Sequence, residues 1–322
     1  MSRFIQAIAS IFMLLLSSAV ADAVSFNKGD IFVSVGNGQV EHYNTSLNLV
    51  ETLNTGLGGF TTGSGFDAAG NFYVTNFSNQ SVTKFTGPND PHTASIFVNQ
   101  GGNPEMIVFD AAGNAYVSSA GTGFIGKYNP SGALLQSWDA GSRADFIDLN
   151  APNPTKIFFT VDISKGVFVL DIGTSAVTTF NSDFGNFGLR VLGDGSVLVA
   201  NQQDIKLLDA SGNLVRSFDD VGNNNWFALN LDPDGQTFWS ADFGTSEFCQ
   251  FNIATAALIT CKTTNIQGGV FGLSLFGEIT QGGGGGGGGP QVPEPSSFIL
   301  LGIGLLGVFW YGRKRQRHGR QL

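Results

Sequence analysis

The chain has 322 residues, including 45 glycines and 29 phenylalanines, and only 13% of its residues are charged. This composition excludes an acidic disordered chain and a helical bundle, since both need more charge or more helix-forming residues. Ten basic and 23 acidic residues lie in 24–291. We therefore expect no nucleic acid as a partner, because a phosphate backbone requires a basic surface.

The first 23 residues have the three parts of a secretory signal peptide. Arg3 precedes an apolar stretch at 5–16, and small residues lead to Ala23, after which we expect cleavage. The alternative is an N-terminal membrane anchor, but about twelve apolar residues are few for a span. The sequence therefore predicts export.

An internal repeat begins after this segment. Residues 66–74 recur almost unchanged at 109–117, and weaker copies of the glycine turn and following strand occur at Gly29, Gly195, Gly235 and Gly277. A period near 41 residues is typical of propeller blades with four short strands each. In the second unit we predict these strands at 62–66, 72–76, 81–85 and 94–98. In the Asp-x-x-Gly-Asn turn of the two clear copies, Asp accepts backbone N–H bonds and Gly takes a positive φ.

The strand count predicts how the ring closes. The first unit has too few residues for an inner strand, whereas the last copy, at 270–275, supplies only an inner strand. Pairing the two would remove the exposed edges of both. We predict an all-β domain at 24–280, a six-bladed β-propeller of four-stranded blades closed by its N- and C-terminal strands.

The blades resemble NHL-type repeats, which combine an inner strand, a D-x-x-G-N-like turn and an Asp or Asn after the second strand. Asn76, Asp162, Asn201 and Asp242 occupy that last place, but the Arg that usually follows is missing. The resemblance covers 26–279 and implies the fold rather than an activity. These four side chains either gather on one face to bind a cation or sugar hydroxyls, or cap turns within their blades.

Catalysis has weaker support. Metal-dependent lyases and lactonases exist among propeller enzymes, but His42 on a predicted strand and His92 in a loop have no evident acidic partner. No nucleophile motif is present. We predict no catalytic residue, no resident metal and no cofactor, with a divalent cation possible and a metal-dependent propeller enzyme as the alternative function.

Cysteines and tryptophans complete the candidates in the domain. Cys249 and Cys261 fall on neighbouring strands of one hairpin, which in an exported protein favours a disulfide over a two-Cys metal site. Trp138, Trp226 and Trp239 either stack on sugar rings or, as alternate strand residues more often do, fill the space between blades.

The C-terminal region begins with eight glycines at 282–289, within a predicted linker at 281–291. Val292, Pro293, Glu294 and Pro295 follow, and then an apolar run from Phe298 to Tyr311 and a basic end. Fourteen apolar residues make a helix of about 21 Å, which with its flanks predicts a short transmembrane helix. The basic end is then cytoplasmic.

This tail, residues 292–322, resembles the PEP-CTERM sorting signal of Gram-negative bacteria. The resemblance implies recognition and removal of the tail by an exosortase and delivery to the cell envelope, the surface or the medium, in bacteria that make exopolysaccharide. A plain membrane anchor is the alternative. We therefore expect a binding or structural module of an exopolysaccharide matrix, with exosortase, exopolysaccharide and, before processing, the membrane as partners.

Overall fold

The computed structural model describes residues 24–279 with the exception of Ser142. The predicted signal peptide with Ala23, the linker, the motif at Val292 and the run from Phe298 to Tyr311 lie outside the described residues. Within the described residues no helix has the length and apolarity to cross a membrane.

The described residues form β-strands joined by turns and loops. In chain order the strands are β1 (Ile31–Ser34), β2 (Gln39–Tyr43), β3 (Leu49–Asn54), β4 (Thr61–Phe66), β5 (Phe72–Asn76), β6 (Ser81–Phe85), β7 (Ala94–Val98), β8 (Pro104–Phe109), β9 (Ala115–Ser119), β10 (Phe124–Tyr128), β11 (Leu134–Asp139), β12 (Ile147–Leu149), β13 (Lys156–Val161), β14 (Ser164–Asp171), β15 (Val177–Asn181), β16 (Leu189–Val191), β17 (Val197–Ala200), β18 (Ile205–Leu208), β19 (Leu214–Phe218), β20 (Trp226–Leu231), β21 (Thr237–Asp242), β22 (Glu247–Asn252), β23 (Leu258–Thr263) and β24 (Gly272–Leu275).

These strands form six antiparallel sheets of four, the blades of a propeller. Blade I has the order β24-β1-β2-β3, and blades II to VI take the remaining strands in consecutive fours. The inner strands β24, β4, β8, β12, β16 and β20 contact one another in that order around the ring, and β20 contacts β24 again. The predicted six-bladed, all-β fold is confirmed.

The ring closes as the strand count predicts. β24 pairs antiparallel with β1, and Ile31 lies opposite Leu275 while Ser34 lies opposite Gly272. Every strand thus finds its partners within 31–275. The domain therefore contains all the pairing that its six sheets need.

The blade turns follow from the repeated motif. Asp67 Oδ1 accepts the backbone N–H groups of Ala69 and Asn71 at 3.0 and 2.9 Å, and Gly70 has a φ of +82°. Asp110 makes the same two bonds in the next blade. The recurring Asp and Gly therefore shape the turn, as the sequence predicts.

Aromatic side chains fill the space between blades. Phe32, Phe66 and Phe72 are buried and lie within about 5 Å of one another, centroid to centroid, across blades I and II. Trp138, Trp226 and Trp239 are also buried, at 3%, 0% and 4% exposure. These tryptophans therefore pack mainly in the interior.

The inner strands approach too closely for side chains at some points. A Cβ on Gly272 would lie 2.0 Å from the carbonyl oxygen of Thr62, and one on Gly63 would lie 2.4 Å from that of Glu105. Ser64 Oγ also donates to Ser274 Oγ at 2.9 Å. The inner strands therefore pack directly against one another at these points in the middle of the ring.

A candidate binding pocket at one mouth of the ring

A cavity of about 180 Å³ lies at the mouth where the inner strands begin, which we call the acidic mouth. Its lining residues lie near the start of an inner strand or just after a second strand: Phe60, Thr62, Phe77, Glu105, Arg143, Asp162, Phe227 and Phe271. Five of the six blades, namely blades I, II, III, IV and VI, thus contribute to one cavity. Its size suits a small ligand or one unit of a polymer, because sites for drug-sized ligands have about 300–1,000 Å³.

Three carboxyl groups and one guanidinium lie at this mouth. Arg143 donates to Asp145 from Nε at 3.1 Å and from Nη2 at 2.6 Å, and Nη2 also reaches Asp162 Oδ2 at 2.9 Å. The backbone N–H of Asp162 donates to Asp145 Oδ2 at 2.8 Å. Asp145 is therefore well satisfied, and Arg143 is fixed between two carboxylates.

Glu105 has one carboxyl oxygen without a hydrogen-bond partner in the described part of the chain. It is the second residue of β8, is only 4% exposed, and its Oε2 has no hydrogen-bond partner among the described residues. The same is true of Asp162 Oδ1. Buried polar atoms without partners are rare in folded proteins, because each loses its hydration.

Burial and like charge act on these carboxyl groups. Burial raises the pKa of Glu105 well above its usual range. The charge of Asp145, a hydrogen bond between the Glu105 and Asp145 carboxyl groups and the charge of Asp162 raise it further, against the opposing effect of Arg143. Burial, together with Asp145, also raises the pKa of Asp162. The pocket therefore favours a protonated Glu105 when no cation is present.

Phenylalanines form the rim of the acidic mouth. Phe60 and Phe271 have ring centroids 4.6 Å apart, and Phe243 continues the row at 5.1 Å from Phe271. Phe60 and Phe243 are 47% and 43% exposed. Exposed rings beside a buried carboxyl present both an apolar face and a hydrogen-bonding group to a ligand.

The predicted ring of Asp and Asn side chains does not gather around one ligand. Asp242 Oδ1 accepts the N–H groups of Gly244 and Thr245 at 2.7 and 2.8 Å, and Asn201 Oδ1 accepts that of Gly185. Asn76 is buried and donates to Ser81 and Thr83. Asp162 alone among the four lines the acidic mouth.

Divalent metal binding has little geometric support here. In the described part of the chain, the only cluster of three potential His, Cys, Asp or Glu ligand atoms within 4.8 Å of one another is Asp220, Cys249 and Cys261. The two sulfurs of that cluster are bonded to each other. At the acidic mouth, Arg143 already lies where a metal would have to bridge Asp145 and Asp162.

The two cysteines lie opposite each other on β22 and β23, joined as a disulfide. Cys249 is fully buried. The bond links the two outer strands of blade VI. Neither cysteine is among the lining residues of the acidic mouth.

The histidines have acidic partners that the sequence analysis missed. His42 lies between Asp30 and Glu51, with Nε2 and Nδ1 each 2.9 Å from a carboxylate oxygen. These hydrogen bonds raise the pKa of His42 despite its burial. His92 lies 3.4 Å from Glu51 and 3.0 Å from the carbonyl of Val24, and it stacks on Phe26 at 4.0 Å.

These contacts fix the segment that follows the predicted cleavage site against blades I and II. The expectation that His42 and His92 lack acidic partners was wrong. Glu51 lies directly opposite His42 on β3. A cross-strand reading of the predicted hairpin would have found that pair.

The opposite mouth, where the inner strands end, contains a buried ion pair between side chains, and we call it the plugged mouth. Arg190 Nε donates to Glu278 Oε1 at 2.7 Å, and both residues are buried. Glu278 Oε1 also accepts from the N–H of Leu231, and Asp148 Oδ2 accepts from that of Val191. Burial raises the pKa of Glu278 to about 7, against the effect of Arg190, and it raises the pKa of Asp148.

A larger open depression of about 570 Å³ lies beside β11, outside the ring. Gln100, Thr122, Trp138 and Asp139 are among its lining residues. Its carboxylate, Asp139, is exposed and accepts the N–H of Gly141 at 2.8 Å. The acidic mouth is the stronger candidate, because it combines concavity with buried unpaired acceptors.

The acidic mouth was also missed at the level of sequence, although a signal exists. Glu105 is the second residue of the otherwise apolar strand β8, and Arg190 lies between Leu189 and Val191 in β16. Charged residues in apolar inner strands are rarely tolerated without a partner. That pattern marks both mouths.

A family model for the PEP-CTERM protein-sorting motif matches residues 291–315, which include Val292 to Pro295. No curated protein matches the chain. The resemblance of the blades to NHL-type repeats stays a prediction.

Solved structures resemble the propeller. A chain of a nidogen/laminin complex is 14% identical, with a TM-score of 0.62, and the match covers 76% of this chain and 97% of that one. Catalytically inactive virginiamycin B lyase from Staphylococcus aureus, solved with quinupristin, is 13% identical, with a TM-score of 0.55 and coverage of 76% and 89%. At such identities these similarities show the fold alone.

Proposed function

We propose that this chain, a six-bladed propeller that carries a PEP-CTERM sorting motif, is a binding module of the cell envelope that attaches to exopolysaccharide through its acidic mouth. The motif is a sorting signal for export to the envelope or surface and implies processing by an exosortase. Exopolysaccharide of the surrounding matrix is the ligand that we propose in that setting.

The observation that carries this proposal is the buried Glu105 carboxyl, whose Oε2 has no hydrogen-bond partner among the described residues, beneath a rim of phenylalanines. A sugar unit offers hydroxyl or amino donors to such a carboxyl and C–H faces to aromatic rings. The cavity of about 180 Å³ accommodates one unit of a polymer, and the open rim lets the polymer continue outward.

Co-sedimentation tests the proposal. The propeller, residues 24–281, is spun with the host's exopolysaccharide, with and without calcium, and both protein depletion and polymer length are followed. We expect saturable depletion without cleavage. Absence of depletion would overturn the proposal, and calcium-dependent cleavage would replace it with a metal-dependent enzyme.

A matched pair of variants locates the binding surface. Phe60→Ser removes an exposed ring at the acidic mouth, and Ile96→Ser removes a side chain of similar exposure, 46%, on the outer strand β7. We expect depletion to fall several-fold for Phe60→Ser, because one stacked aromatic contributes about 1 kcal/mol or more. Ile96→Ser should bind like the original protein, and equal losses in both would place binding elsewhere.

A further inference from the structure

The acidic mouth carries more negative than positive groups. Glu105, Asp145 and Asp162 surround it, and Arg143 is the only positive side chain among its lining residues. Arg143 is already engaged by both aspartates, at 2.6 and 2.9 Å. An anionic ligand would therefore meet carboxylates without a free cation to pair with.

Two carboxyl oxygen atoms in this mouth have no hydrogen-bond donor among the described residues. Glu105 Oε2 is buried without a partner among the described residues, and Asp162 Oδ1 is in the same condition. Both residues line the one cavity. A hydroxyl supplies one donor, whereas an ammonium group supplies three donors and a charge, which is enough donors for both atoms.

The rim favours the same ligand. Phe60 and Phe271 lie side by side at the cavity, and Phe227 and Phe77 complete its lining. The face of an aromatic ring attracts a cation, most strongly where water is excluded. Carboxylates below and aromatic faces around them form the setting in which proteins hold organic ammonium groups.

We propose that the acidic mouth binds the protonated primary amine of an amino-sugar unit in a polysaccharide. This inference rests on the proposed function and names the class of polymer unit. Glu105 and Asp162 accept hydrogen bonds from the ammonium group, and the phenylalanine rim packs against the sugar.

Proton release accompanies binding at this site. The titratable and charged groups that face Glu105 are Asp145, Asp162 and Arg143, and in the empty pocket they favour the protonated form of Glu105. An ammonium group beside Glu105 favours the carboxylate, so binding expels a proton. Affinity then rises by up to about tenfold per pH unit while free Glu105 is protonated and the amine keeps its charge.

Titration calorimetry with three probes tests the inference: a glucosamine tetramer with free amines, its fully N-acetylated counterpart, and ethanolamine. We expect the free-amine tetramer to bind at least about tenfold more tightly than the acetylated one. Runs in two buffers of different ionisation enthalpy should show net proton release. Ethanolamine separates the two sources of an ammonium group; binding as tight as that of the amino sugar would overturn the assignment to a sugar.

Variants test the residue assignment. Glu105→Gln keeps the shape of the side chain and should weaken binding of the free-amine tetramer at least about tenfold and abolish its proton release. Asp183→Asn makes the same type of change at an exposed residue in the loop between β15 and β16, and it should leave both unchanged. Unchanged binding in Glu105→Gln would overturn the inference.

The outcomes separate this inference from the proposed function. Equal binding of the acetylated and free-amine tetramers would overturn the amine and leave polysaccharide binding in place. Binding of neither tetramer, with intact co-sedimentation on the host polymer, would also remove only the amine. Loss of co-sedimentation itself would overturn both.

Discussion

The two mouths of the ring contain the same types of charged residue, but these residues are paired differently at each mouth. At the plugged mouth, Arg190 is 2% exposed and pairs with Glu278, whose oxygen also accepts a backbone N–H. At the acidic mouth, the side chain of Arg143 is 24% exposed, and Glu105 beside it has an oxygen without a partner among the described residues. The charges at the plugged mouth satisfy one another, whereas the acidic mouth keeps a carboxyl oxygen without a partner in the described part of the chain, and this is where we propose that a ligand binds.

The sharpest test of this comparison replaces the arginine of each mouth. Arg190→Met leaves Glu278 and Asp148 buried without a cation and should lower the free energy of unfolding by about 3–5 kcal/mol at neutral pH. Arg143→Met should lower it by about 1–2 kcal/mol, because Arg143 is itself partly exposed and one of its two carboxylates, that of Asp162, is 32% exposed. Urea unfolding of both variants measures the difference, and equal losses would contradict it.

The same experiment has a pH dependence. Burial raises the pKa of Glu278 and of Asp148, so both can take up protons in the folded protein. The loss in Arg190→Met should therefore be smaller at about pH 5 than at about pH 8. A loss that grows on acidification would show that these two carboxyls stay ionised.

The disulfide of blade VI should stabilise the ring without affecting either mouth. Replacing both Cys249 and Cys261 by Ala should lower the free energy of unfolding by about 2–3 kcal/mol, because the bond restricts the unfolded chain. Thermal unfolding with and without a reducing agent measures this. The double variant should not respond to reductant, and a change in polysaccharide binding would show that the disulfide supports the acidic mouth.

The wall between the two mouths depends on close contact of the inner strands. Gly272→Ala places a Cβ 2.0 Å from the carbonyl of Thr62 and should destabilise the domain by about 1–3 kcal/mol. Gly36→Ala is the control, because a Cβ there has no neighbour within 4 Å. Similar unfolding midpoints for the two variants in urea would mean that the strands can separate at little cost.

Glu105 should lower the stability of the folded domain as the pH rises. Because burial and neighbouring carboxylates raise the pKa of Glu105, its contribution to stability is largest in acid and is lost as the pH rises through the raised pKa. Glu105→Gln removes that loss, so the variant should gain on the original protein by about 1.4 kcal/mol for each unit of pKa shift as the pH rises. Urea unfolding at about pH 5 and about pH 8 measures this trend, and a difference that stays constant would oppose it.

The fold could be predicted in detail because the signals are local. The strands of blade II were predicted at 62–66, 72–76, 81–85 and 94–98 and differ from the structure by one residue, at the start of β4. Turn residues such as Gly70 and Gly113 fix those limits. Ring closure followed from the same strand count.

The candidate site could not be predicted because its residues meet across blades. Glu105 comes from blade III and Asp162 from blade IV, while Phe271 precedes β24, and nothing in the repeat places them together. Asp162 was identified only as a member of a recurring position. Its three counterparts bond within their own turns and loops, so the period alone cannot show which copy faces a ligand.

The position of β24 in the chain determines when the ring can close. A chain that emerges from its N-terminus can complete blades II to VI in turn, but β1 keeps an unpaired edge until Gly272–Leu275 arrives. Completion of the ring therefore reports that the chain has been delivered as far as Leu275, sixteen residues before the sorting motif match begins at 291. The ring can therefore close only after almost all of the chain before the sorting motif has been delivered.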